Sequence, residues 1–204
     1  MADDWRRIFR LKVVVFSLCL IPVGLLVWRA LAGGLSANPI DDITDETGRW
    51  TLHFLLITLT LRPLRHITGR SAFIKCRRML GLFAFFYGSL HFMTYLWLDQ
   101  FFNLAEILKD IPKRPFITAG FVAFTSMLPL AITSTKQWIV RLGGQRWKRL
   151  HQLIYLSAFG GVIHYLWLVK ADTFKPIIYG GLLAILMLYR GMVHLRPEIF
   201  RRIN

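Results

Sequence analysis

Apolar residues along the chain gather into six blocks, at about 12–32, 50–66, 79–98, 115–135, 150–169 and 176–194, separated by short polar, basic or Gly/Pro-bearing stretches. At a rise of about 1.5 Å per residue, each block spans or nearly spans the roughly 30 Å of a bilayer's hydrocarbon core. The second block is the shortest: WTLHFLLITLTLRPL offers few clean residues before Arg62 and Pro63, which predicts a short, buried or tilted helix. The pattern predicts an all-α fold, an integral membrane six-helix bundle forming one transmembrane domain over residues 1–204.

Composition agrees: 55% of residues are hydrophobic and the mean hydropathy is +0.47, outside the range of ordinary soluble domains. A formal charge of +15 would suggest nucleic acid in a soluble chain, but in a membrane protein excess Lys and Arg report orientation. The N-terminus, residues 62–78, residues 136–149 and the C-terminus carry 4, 6, 5 and 4 Lys or Arg, 19 in all. The intervening segments 33–49, 99–114 and 170–175 carry 1, 3 and 2, a total of 6, and Arg29 completes the 26. This asymmetry predicts that both termini and the basic loops are cytoplasmic, and it leaves no reason to invoke a nucleic-acid partner. Arg29 and Gly33-Gly34 stand where a small-residue cleavage site would follow the first block, so a retained helix is expected there.

No phosphate-binding glycine loop, dinucleotide fingerprint or Ser-His-Asp spacing occurs. Cys19 lies in an apolar block and Cys76 in a basic loop; a disulfide or a cysteine metal site is not expected of them. The chemistry-bearing residues are histidines. Counting from the cytoplasmic ends, His91 lies 12 residues into the third block and His164 lies 14 into the fifth, within about 3 Å of one depth in the outer half of the membrane. GSLH (88–91) and GVIH (161–164) each place a glycine one turn below the histidine, so Gly88 and Gly161 can open a slot for a flat macrocycle between two imidazoles, as in a b-type haem. A membrane histidine can also simply bond a neighbouring helix, and glycines can simply permit close packing.

His151 lies about 20 Å below His164, at the cytoplasmic mouth of the fifth block, where Arg77 and Arg78 share its level. On an ideal helix, 13 residues separate the two rings by some 140°, so two cofactors on one face would need a distortion, for which Gly160-Gly161 is the natural place. His53 and Arg49, near the outer end of the second block, could salt-bridge a haem propionate but read more simply as surface groups, and His194 reads as an interfacial one.

Four stretches, GGLSANPIDDITDETGRW (33–50), RRMLGLFAFFYGSLHFMTYLW (77–97), RPFITAGFVAFTSMLPLAITS (114–134) and GQRWKRLHQLIYLSAFGGVIHYLW (144–167), resemble the MsrQ family of haem-binding membrane subunits of bacterial periplasmic protein-methionine-sulfoxide reductase systems. That family is similar to the transmembrane domain of ferric reductases and NADPH oxidases. The resemblance implies a multi-pass protein of the bacterial inner membrane. It implies haem b, one or two per chain, with His91 and His164 as iron ligands and His151 as a further ligand. Arg77, 14 residues before His91, stands where oxidase-type domains carry an inner histidine. FMN, the quinone pool or a cytosolic flavin reductase as donor, and a molybdenum-containing catalytic subunit of the MsrP type as acceptor are implied by the family alone. Sulfoxide reduction itself would then occur on the partner. The reading from another class is a transporter or proton conductor using His91 and His164 as a relay or as direct metal ligands.

Overall fold

The computed structural model describes residues 2–195; the C-terminal basic residues Arg196, Arg201 and Arg202, which entered the charge count, lie outside the described residues. The elements are α1 (Ala2–Leu31), α2 (Pro39–Thr68), α3 (Ala72–Met93) continued by a π-helical turn (Thr94–Asp99), α4 (Leu104–Lys113), α5 (Pro115–Ile132), α6 (Lys136–Leu142), α7 (Gly144–Leu150), α8 (Leu153–Leu168) and α9 (Phe174–Leu195). Every apolar block carries a helix, and there is no strand among the described residues. Four stretches, Trp5–Leu31, Ala72–Asp99, Pro115–Ile132 and Phe174–Leu195, are long and apolar enough to cross a membrane. The other two fall short for different reasons. Charges thin the apolar character of α2, and α8 has only 16 residues, about 24 Å of helix.

α2 is the central helix. Leu52, Phe54, Leu55, Leu56, Leu59 and Leu61 are all buried, whereas α1 and α9 present Phe16, Leu25, Trp28, Ile177, Ile185 and Leu188 outward. An outer shell this apolar is stable in lipid, not in water, so the chain is a multi-pass membrane protein. The start of α2 is hidden from hydropathy by Asp41, Asp42, Asp45 and Glu46, yet Pro39 in its first turn and acids beside its N-terminus are what helix electrostatics favour. Asp42 Oδ2 accepts from Ser36 N–H at 2.6 Å and lies 4.0 Å from Arg29, which together hold its carboxyl below the usual range.

α2 and α3 pack antiparallel along a seam of small contacts. A Cβ at Gly81 would stand 3.8 Å from Thr58, one at Gly88 3.4 Å from Thr51, and one at Gly48 3.0 Å from the His91 ring. The seven-residue steps on both helices mark coiled-coil-like packing, in which small residues bring the backbones close. α5 and α8 approach more tightly still: a Cβ at Gly160 would lie 3.1 Å from Ala123 Cβ and 3.2 Å from the Ala119 carbonyl. α1 carries Pro22 in its interior, and the backbone beside it is bonded from α3. The Tyr87 hydroxyl accepts from Val23 N–H at 3.0 Å and donates to the Cys19 carbonyl at 2.8 Å, joining two groups that would pair in an unbroken helix.

Three expectations change here. The fifth block is not one helix from residue 150: α7 ends at Leu150, His151 and Gln152 form a turn, and α8 begins at Leu153. The distortion therefore lies at His151 itself, and α8 runs straight through Gly160-Gly161. Cys76 is buried inside α3, not in a loop, and both thiols are free. His53 is half-buried, with Nε2 2.7 Å from the Tyr179 hydroxyl, so it is no surface residue.

Candidate functional site

The last full turn of α3 carries His91 and the C-terminal half of α8 carries His164, and the bundle brings their rings together, with centroids 5.9 Å apart and planes at 77°. Both rings are half-buried. Each is tied at one nitrogen to the backbone of a different helix: His91 Nδ1 lies 2.9 Å from the Thr44 carbonyl of α2, and His164 Nδ1 lies 2.6 Å from the Phe116 carbonyl of α5. A carbonyl can only accept, so both bonds require the proton on Nδ1 and leave the Nε2 lone pair free. Neither Nε2 has a hydrogen-bond partner among the described residues.

The local fold explains these anchors. Thr44 Oγ1 bonds Thr94 Oγ1 at 3.1 Å, and Thr94 Oγ1 donates to the His91 carbonyl at 2.7 Å, so the π-helical turn after His91 is fastened to the same stretch of α2 that holds the ring. Insertions of this kind re-aim side chains within a helix and recur at functional sites. On the other side, the α5–α8 approach at Gly160 lets His164, one turn further on, reach the α5 backbone. Phe116 lies 6.1 Å from the His164 ring, and Phe92 stacks on Phe124 at 4.6 Å beside the pair.

With Nδ1 of each ring bonded to a backbone carbonyl, the two Nε2 atoms are the nitrogens that would hold a haem iron, if one is bound here. The ring centroids, 5.9 Å apart, are close enough for both imidazoles to reach one bound group. Direct protein ligation of a bare metal ion fits less well, since no group of three or more His, Cys, Asp or Glu is placed to share an ion among the described residues.

Gly88 and Gly161 lie one turn before the two histidines on α3 and α8. A Cβ at Gly88 would meet Thr51 at 3.4 Å and Phe124 at 3.6 Å, and one at Gly161 would meet only Leu52 at 3.6 Å; both line helix crossings below the rings, with no ring atom among their nearest neighbours. The glycines that touch the imidazoles are Gly48 and Gly120, on the partner helices. Sequence spacing did not single these out, because nothing local shows which ring a glycine on another helix will meet.

His151 is not joined to the outer pair. Its Nε2 lies 3.1 Å from Thr133 Oγ1, Trp147 stacks on it at 3.9 Å, and the Trp147 indole donates to the Thr133 carbonyl at 2.9 Å. Arg77 is near enough to act on His151 electrostatically, as the shared depth suggested. On the same side Arg190 bonds the Tyr155 hydroxyl and the Leu59 carbonyl. Arg49 pairs with Glu46, whose other oxygen accepts from the Trp50 indole at 2.8 Å, and His194 is exposed.

Comparison with known proteins adds the family. Residues 47–162, which hold His91, Gly48, Gly120 and His151 and end two residues before His164, match the family described as ferric reductase like transmembrane component. Proteins named protein-methionine-sulfoxide reductase heme-binding subunit MsrQ are similar over nearly the whole chain. The one from Herminiimonas arsenicoxydans is 51% identical over 88% of this chain and 84% of its own length. That from Azospira oryzae is 48% identical over 94% and 82%, and that from Caulobacter vibrioides 46% over 87% and 84%. With its fold, its paired histidines and these relatives in agreement, the chain belongs to the MsrQ family of ferric reductase-like transmembrane proteins.

Proposed function

We propose that the chain is the electron-transfer subunit of a methionine sulfoxide reductase system, holding b-type haem between His91 and His164. The observation that carries this reading is the matched pair of rings 5.9 Å apart, each locked at Nδ1 on a backbone carbonyl. When bound, the haem supplies a one-electron couple whose potential depends on its axial ligands, their hydrogen bonds and burial. The protein's part is to fix the two Nε2 atoms, to exclude water with the aromatic packing around Phe92, Phe116 and Phe124, and to hold the site near one membrane face.

Six crossings with cytoplasmic termini place that face toward the periplasm. The acceptor is then a periplasmic catalytic subunit of the MsrP type, which carries out sulfoxide reduction, and the membrane is the bacterial inner membrane. Electrons enter from the cytoplasmic side, from quinol or a reduced flavin such as FMN. His151 and Arg77 are the candidates for an inner haem there, and for that role His151 must turn Nε2 away from Thr133. Gly88 and Gly161, at the crossings below the rings, keep side chains out of the space that a porphyrin edge would need.

The test is the visible spectrum of the purified protein, oxidised and reduced, with His91→Ala and His164→Ala beside it. Wild type shows haem bands, and each substitution abolishes or strongly alters them; folded wild type without haem sinks the reading. A second haem requires more than one haem per chain and a decrease on His151→Ala.

A further inference from the structure

Each imidazole of the pair is seated on its neighbouring helix in the same way. On α2 the Thr44 carbonyl bonds His91 Nδ1, and a Cβ at Gly48 would stand 3.0 Å from both Nδ1 and Cε1 of that ring. On α5 the Phe116 carbonyl bonds His164 Nδ1, and a Cβ at Gly120 would stand 2.7 Å from Nδ1 and 3.0 Å from Cε1. In both helices the carbonyl and the glycine are four residues apart, in TDETG (44–48) and FITAG (116–120). Helical geometry aims the carbonyl of residue i at the N–H of residue i+4, and its other side can take an imidazole lying over a glycine at i+4; the Thr44 carbonyl also accepts from Thr47 Oγ1 at 3.1 Å.

We propose that Gly48 and Gly120 are paired positioning residues for the two axial ligands, fixing tautomer and tilt by letting each ring lie on bare helix backbone with Nδ1–H on the carbonyl one turn earlier. The proposal rests on the haem reading above and adds what sets the ligands' electronic character. Donation from Nδ1–H to a carbonyl makes an imidazole a stronger donor through Nε2, which favours the ferric ion and lowers its potential. A methyl group at either glycine must displace the ring, and a ring on two torsions cannot yield as a long flexible side chain would. The displaced ring loses part of its hydrogen bond, donates less to the metal and favours the ferrous state. The effect is graded, because the clash at Gly120 is tighter than that at Gly48.

The experiment uses the purified full-length protein as wild type, Gly48→Ala, Gly120→Ala and Gly180→Ala. The last is a packing control whose Cβ would lie 3.5 Å from Val162, away from both rings. Haem per chain, the low-spin ferric EPR spectrum, the midpoint potential and the elution profile are recorded for each. Gly48→Ala is expected to keep haem with shifted g values and a raised potential. Gly120→Ala should show a larger shift, or lose haem while eluting as a folded species, and Gly180→Ala should match wild type. Wild-type EPR and potential in both Gly48→Ala and Gly120→Ala overturn the proposal, and if Gly120→Ala does not fold, Gly48→Ala decides alone. A folded wild type without haem sinks the reading beneath the proposal, a result distinct from haem-loaded variants that do not shift.

Discussion

Tyr87 shows how one side chain can hold two helices in register. It is almost wholly buried, and its hydroxyl accepts from Val23 N–H and donates to the Cys19 carbonyl beside Pro22 of α1. Tyr87→Phe keeps the ring packing but leaves both backbone groups unpaired in an apolar setting, where each such loss costs about 1–3 kcal/mol. A lowered unfolding temperature with intact haem binding is the expected result. Adding Pro22→Ala should recover part of the loss, because a regular helix pairs Val23 with Cys19 without help; no recovery in the double variant would refute the bridging role of Tyr87 beside Pro22. At this scale the sequence was informative about His91 and His164, since charge fixes the helix ends and residue counting then fixes depth. It was silent about Thr44, Phe116, Gly48 and Gly120, because a ring's resting place on another helix depends on rotation about the helix axes, which apolar blocks do not record.

Among the helices, the decisive contact is the α5–α8 approach. A Cβ added at Gly160 would stand within 3.2 Å of Ala123 Cβ and the Ala119 carbonyl, so a larger residue there must separate the two backbones. Gly160→Val is expected to cost about 1–3 kcal/mol by overpacking. It should also reduce haem retention, since His164, one turn away, then loses reach to the Phe116 carbonyl. Thermal unfolding and haem per chain measured together check this, and a destabilised variant with full haem content would uncouple the helix approach from the site. Two features of the elements were illegible in the sequence. The apolar run from 150 to 169 gives no sign of the turn at His151 and Gln152, because the residues around it are as helix-compatible as their neighbours. The outer third of α2 was hidden behind its acidic residues, although the Asn38-Pro39 start and the acids in its first turn were the signal to read.

For the molecule as a whole, the 19 to 6 division of basic residues carries the orientation. Single cysteines in a background lacking Cys19 and Cys76, placed at residues 37 and 103, should react with an impermeant thiol reagent from the periplasmic side. One placed at residue 144 should react only after the membrane is opened. The reverse pattern would invert the bundle and put the histidine pair near the cytoplasm. The six-block pattern made the all-helical class legible, but not which helix lies at the centre, because burial of α2 depends on how the other helices surround it. The placement of the two rings also bears on how the protein persists. His91 belongs to the α2–α3 unit and His164 to the α5–α8 unit, so a metal held between them would be a clasp across the two halves of the bundle. A ligand bound only by the closed form stabilises it by about 2.7 kcal/mol when present at a hundred times its dissociation constant. On the proposed haem ligation, supply of the cofactor would then set the lifetime of the fold as well as its activity, and a chain starved of it would part along the seam between the histidines.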